Sequence, residues 1–318
     1  MNLFEGKMMK QMLMMVGISF VLSRLMLGNL LFTIPLMVLA PKFSDRKSAL
    51  TTVGLVAVLI LLTELVRARD ALGSAEGRLL MLIGLFIPTV LLVAAAVWIA
   101  CDDWRTVHRY LASCAFGVVA SVAVVVYFSK PNEALLRVDS AMLETFRMIL
   151  GQTTGTEPAA VGEFESLYRI SVLAMGALLG PLCMALVGFT SFMALSYQGR
   201  YDSNFGIRVS RWSIPEETLW VFLGGWTLVL MFIMLKTNYL SRALALQVAL
   251  GSSVLYAVQG MAIVLHFALR KGLIVNTARF LTTIFLLAFL IPGVNVLVVF
   301  VLPLLGVTET WIVYRRIE

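Results

Sequence analysis

A succession of apolar stretches constrains this chain more than any other feature: at least seven are about 18 residues or longer and nearly free of charge. An α-helix rises about 1.5 Å per residue, so each is long enough to cross a hydrocarbon core roughly 30 Å thick. Inside lipid every backbone N–H and C=O must be satisfied by the chain itself, which leaves helices and closed barrels as spanning structures. None of the stretches shows the alternation of apolar and polar residues that marks a barrel strand. The sequence therefore predicts an all-α, polytopic transmembrane bundle of about eight to ten helices, a single integral membrane domain over residues 1–318. Composition agrees, with 60% hydrophobic residues, 14% charged residues and a mean hydropathy of +0.93, outside the range of soluble domains.

The first stretch, MNLFEGKMMKQMLMMVGISFVLSRLML, has the basic lead and apolar run of a secretory signal. It has no Ala-x-Ala cleavage site, and Arg24 interrupts it, so it reads as a retained span. Cys101, Cys114 and Cys183 are odd in number and widely spaced, which gives neither a disulfide framework nor a zinc site. The net charge of +7 belongs to loops at one membrane face rather than to a nucleic-acid surface. The bilayer is the expected partner, and no nucleic acid, metal or cofactor is expected.

Apolar segments fall at 8–27, 29–40, 49–66, 79–100, 110–128, 167–197, 217–236, 242–269, 273–291 and 294–312. The second is too short for an ordinary span, yet its parity fixes the orientation of everything after it. If it returns the chain across the membrane, fourteen basic residues collect on one face: Lys7, Lys10, Lys42, Arg46, Lys47, Arg105, Arg109, Arg200, Arg208, Arg211, Arg270, Lys271, Arg315 and Arg316. If 8–40 is one crossing, Lys7 and Lys10 are separated from the rest. The bias predicts an N-terminal hairpin turning near Gly28-Asn29, both termini cytoplasmic, 198–216 a cytoplasmic loop, and the protein in a bacterial inner membrane.

Residues 129–165 form the one sizeable polar insertion, expected outside. Leu135, Val138, Met142, Phe146 and Ile149 mark one face of an amphipathic helix, which would lie on the outer leaflet, pack on the bundle, or cover a cavity. The run 167–197 is about 46 Å long as a helix, with Gly180-Pro181 as the natural bend and Gly176…Gly180 as a small-residue packing face. Ser213 and Glu216 read as a capping box opening the span at 217, with Arg208, Arg211, Trp212 and Trp220 as interfacial anchors.

The strongest intramembrane polar pattern is Ser252, Tyr256, Gln259 and His266, which share one helical face. Such a stripe must face protein or water. It is read as bundle-holding hydrogen bonds, as the wall of a ligand site, or as a proton relay through His266. Arg279 and Glu309 would form a structural ion pair if the last two helices make a hairpin, and Pro303 with Gly306 could break the final helix. Asp102-Asp103 is an acidic pair that could hold a metal-phosphate group, but a lone adjacent pair without further spaced carboxylates is more often a solvated loop. No HExxH, GxSxG or GxxxxGK[ST] motif is present, so no enzyme is predicted.

Two stretches, FGIRVSRWSIPEETLW and PLLGVTETWIVYRR, resemble as a set the YybS-like family of predicted bacterial membrane proteins, a domain of unknown function. The matched positions are Arg211, Trp212, Pro215, Glu309, Trp311 and Arg315. The resemblance implies a core similar to the substrate-binding S-components of energy-coupling-factor transporters, and hence capture or transport of a small solute. The alternative is a non-catalytic membrane scaffold or partner subunit of an envelope complex. This sequence departs from S-components in having no Ala-x-x-x-Ala before residue 49.

Overall fold

A computed structural model describes residues 3–25, 28–40, 46–130, 133–154, 161–272, 276–290, 294–312 and 314–315. Among these residues the chain is helical, with no strand. The helices are α1 (Leu3–Arg24), α2 (Ile34–Leu39), α3 (Arg46–Arg67), α4 (Ala75–Ala100), α5 (Thr106–Phe128), α6 (Glu133–Thr154), α7 (Val161–Gln198), α8 (Phe205–Ser210), α9 (Thr218–Met234), α10 (Tyr239–Arg270), α11 (Thr277–Leu290) and α12 (Val294–Thr308). Five of them, α3, α4, α5, α7 and α10, are long and apolar enough to cross a membrane. The molecule is a multi-pass membrane protein built as an all-α bundle.

Polar groups at the helix ends give each element its direction. Ser74 caps α4 by accepting the Gly77 N–H at 2.9 Å, and Asn238 caps α10 by accepting the Ser241 N–H at 3.0 Å. Arg24, the last residue of α1, pairs at 2.6 Å with Glu64 in the last turn of α3. Two consecutive long helices whose C-terminal ends meet run parallel, so the chain between them must come back. Its short helix α2 does so beside α7, where the Gln198 side chain donates to the Met37 carbonyl at 3.0 Å. The segment 28–40 therefore counts as a return, as the loop charges require, although it is a 3-10 turn (Gly28–Leu30) followed by the six-residue α2 rather than a full span.

The bundle consequently has two distinct ends. At one end Arg46 meets Asp103 at 2.5 Å, Arg109 meets Asp102 at 2.8 Å, and Gln198 meets Met37; this is the basic end. At the other, Arg137 of α6 approaches Glu76 at 3.5 Å, Tyr168 donates to the Asp139 side chain, and the Phe146 and Tyr168 rings lie 5.8 Å apart. The amphipathic helix thus packs on the bundle, across the starts of α4 and α7, with Leu135 buried.

At the centre α7 and α10 run side by side, because both proceed from the α6 end. Helix α7 continues unbroken from Val161 to Gln198 through Pro181. The small-residue face works as expected: Gly176 receives the Tyr239 hydroxyl, and Gly180 sits against Ser121 and Gln247. Gln247 then donates to the Gly176 carbonyl at 2.7 Å, and Tyr110 of α5 donates to the Met184 carbonyl at 2.9 Å. Helix α10 is the hub, with α7, α9 and α12 as its main neighbours. A continuous apolar core runs from Phe32 and Met37 through Trp98 and Val187 to Tyr256 and Val307.

The last helix departs from expectation. Gly260 lies on the Leu302 backbone and Gly306 on that of Tyr256, so α12 runs antiparallel to α10. It starts towards the basic end and stops beside the middle of α10. At 15 residues, about 22 Å, it is not a full crossing. After Thr308 the chain doubles back, and the Tyr314 ring returns to 6.2 Å from that of Phe267. The helix passes through Pro303 and ends two residues beyond Gly306, so neither residue breaks it.

Candidate functional site

Doubling back places Glu309 immediately after the C-terminal turn of α12, where unpaired helix carbonyls already concentrate negative potential. A carboxylate there requires a cation, and Arg315 supplies it. Its Nε donates to Glu309 Oε1 at 2.5 Å and its Nη2 to Oε2, a two-pronged pair with each side chain only 11% exposed. The remaining prong, Nη1, donates to the Ser210 carbonyl at 2.6 Å and the Trp212 carbonyl at 2.9 Å, closing the C-terminal end of α8. Arg315 thereby ties α12 to the loop between α8 and α9.

Gln259 of α10 completes the junction. Its Nε2 donates to Glu309 Oε2 at 2.8 Å and to the Gly306 carbonyl at 3.2 Å, while its Oε1 accepts the Ile214 N–H at 3.1 Å. Both amide hydrogens are thus committed to protein partners, and Gln259 positions the wall rather than presenting a free amide. Tyr256, one turn earlier, is 0% exposed and rests edge-on against Phe222 at 5.3 Å. Its hydroxyl has no hydrogen-bond partner among the described residues. A buried hydroxyl without a partner costs about 1–3 kcal/mol.

These residues surround a cavity of about 390 Å³, within the range of small-molecule sites. Arg211, Ser213, Ile214, Pro215 and Glu216 line it from the α8–α9 loop, and Tyr256, Gln259, Glu309 and Arg315 from α10 and the chain after α12. The stripe on α10 therefore divides. Tyr256 and Gln259 reach the cavity; Ser252 is buried and donates to the Ala249 carbonyl, and His266 stands about two turns further on against Phe267. Of the matched family positions, Arg211, Pro215, Glu309 and Arg315 line the cavity, and Trp212 joins the core with its ring 6.4 Å from that of Tyr110. Trp311 is exposed on the neighbouring surface.

The expectations for Glu309 and for the capping box need correction, and the acidic pair follows its solvated-loop reading. Glu309 pairs with Arg315, not Arg279; Arg279 is exposed in the first turn of α11, where its N–H donates to Asn276 Oδ1 at 3.2 Å. The pairing with Arg279 assumed that α12 descends as a full span, which its antiparallel packing on α10 rules out. Ser213 and Glu216 form no capping box, because α9 starts at Thr218 with Glu217 as an N-cap that makes no side-chain bond. Asp102 and Asp103 lie exposed at the α4–α5 turn, where they meet Arg109 and Arg46. Arg109 also donates to the Trp98 carbonyl at 2.6 Å and lies 4.1 Å from its ring centre.

No group of His, Cys, Asp and Glu side chains able to hold a metal occurs among the described residues. No family model, curated protein or solved structure matches the chain.

Proposed function

We propose that this is a solute-binding protein of the bacterial inner membrane, taking a small polar molecule into the Tyr256–Glu309 cavity. Both termini and the basic end then face the cytoplasm. The single observation that carries the reading is a cavity of ligand size on which charged and polar side chains of the α8–α9 loop, α10 and the chain after α12 converge. The YybS-like resemblance is part of the same proposal. In its support, two motif stretches about a hundred residues apart in sequence converge on one site through Arg315, Ser210 and Trp212.

Native mass spectrometry of the protein purified in mild detergent tests the reading, comparing wild type with Ser213→Trp. Ser213 is exposed in the cavity lining and takes no part in the Arg315 junction, so the indole fills the cavity and leaves the fold intact. A small molecule retained by wild type and lost from the variant is expected. Retention by both, or by neither, sinks the proposal. A second reading, a scaffold or partner subunit, would draw on α6, whose Leu136, Met142 and Met148 remain exposed. It predicts a stoichiometric crosslinked partner lost on deletion of 133–154.

A further inference from the structure

The charges around the cavity identify the class of solute. Four charged side chains line it: Arg211, Arg315, Glu216 and Glu309. Arg315 and Glu309 neutralise one another in a pair that is largely buried, and Arg315 has two backbone carbonyls besides. Arg211 and Glu216 are different. Both are exposed, and neither makes a side-chain hydrogen bond or ion pair among the described residues. They flank Ser213, Ile214 and Pro215 in the lining.

A purely anionic solute would gain Arg211 but lie against Glu216 and the Glu309 carboxylate. A purely cationic one would gain Glu216 and lie against two guanidinium groups. Like-charge contacts in a partly desolvated cavity are more unfavourable than in water, because the screening is weaker. A molecule with separated positive and negative groups meets both unused charges with opposite sign, and its apolar body can rest on Ile214 and Pro215.

Resting on the reading of this cavity as a solute site, we propose that it binds a small zwitterion of the amino-acid or betaine class. Arg211 holds the carboxylate, and Glu216 faces the ammonium group. Glu309, Arg315 and Gln259 shape the wall without giving up their own partners. The proposal concerns recognition only, and no bond is made or broken.

Equilibrium dialysis of the full chain in mild detergent tests it with three radiolabelled probe sets at equal ionic strength. These are the zwitterions L-leucine, L-glutamine and glycine betaine, the dicarboxylate succinate, and the diamine putrescine. Saturable uptake of at least one zwitterion, without succinate or putrescine, is expected. Arg211→Gln and Glu216→Gln should each weaken it about tenfold or more, the usual effect of losing a hydrogen bond to a charged group. Tyr256→Phe should weaken it less. Both charge variants alter exposed side chains, and an unchanged thermal midpoint checks that they fold.

Saturable succinate or putrescine binding in place of a zwitterion overturns the zwitterion assignment and leaves the solute site standing. Zwitterion binding indifferent to both charge variants overturns the assignment of its recognition to Arg211 and Glu216 in this cavity. No uptake in any arm, together with a retained molecule of another class in the native mass spectrum, also overturns the zwitterion assignment. No uptake and nothing retained removes the solute-site reading itself.

Discussion

Replacing Arg315 by alanine perturbs the junction at its most connected point. The Glu309 carboxylate is left beside the C-terminal carbonyls of α12 without a counter-charge, and the Ser210 and Trp212 carbonyls lose their donor. Breaking one side of a buried ion pair costs about 3–5 kcal/mol. With each side chain 11% exposed, water relieves part of that penalty, so the expected loss is near the lower bound, about 3 kcal/mol. Glu309→Ala should cost less, about 1–2 kcal/mol, because Arg315 keeps both carbonyl acceptors and an unfavourable carboxylate leaves the helix terminus. The double variant should be little worse than Arg315→Ala alone, giving a coupling energy of about 1–2 kcal/mol. Unfolding in mixed micelles of rising dodecyl sulfate content, followed by circular dichroism and tryptophan fluorescence, measures all three. If Arg315→Ala costs under about 1 kcal/mol, as an exposed pair would, or the two single variants cost the same, the asymmetric junction is refuted.

Two glycines at the α10–α12 crossing should tolerate nothing larger. A Cβ at Gly306 would overlap the Tyr256 carbonyl, so Gly306→Ala is expected to cost about 1–3 kcal/mol in the same unfolding assay. Gly54→Ala, a mid-helix site with open space around it, should be neutral or stabilising by up to about 1 kcal/mol. At the α4–α5 turn, the hydrogen bond and charge of Arg46 hold the Asp103 carboxyl below its ordinary value. That contribution is complete above the ordinary carboxylate range and disappears as pH falls through the lowered value. The pair is solvent-exposed, so Asp103→Asn should leave the thermal midpoint at pH 7 unchanged; a clear drop refutes this. Cysteines placed at Gly73 and Ser203, in a chain cleared of its own three, should label from opposite membrane faces, with Ser203 cytoplasmic; labelling from one face would undo the parity of α1–α3.

The helices were legible because a charge-free run bounded by polar groups admits few other structures in lipid. The return at 28–40 was legible only indirectly, through the loop charges that sort correctly when it is counted. Its α1–α3 pair, Arg24 with Glu64, confirms the direction from side chains 40 residues apart. The direction of α12 was not legible. A short connection suggests two matched spans, but Gly260 and Gly306 set the packing, and single glycines on two helices carry no mark of each other. Glu309 and Arg315 were found separately but not as a pair, since six residues apart is no helical neighbour spacing. They meet only because the chain reverses after Thr308.

The junction has a temporal consequence too. Its contacts join positions 45, 50, 103 and 105 residues apart, and one guanidinium serves two of the segments. No local stretch can pre-form such a wall, because each closure requires helices that have already crossed and packed. The cavity is therefore among the last parts of the bundle to mature. A chain arrested before α12 docks would expose the Gly260 groove of α10 to lipid and to membrane proteases, which gives the cell a means of distinguishing unfinished molecules from finished ones.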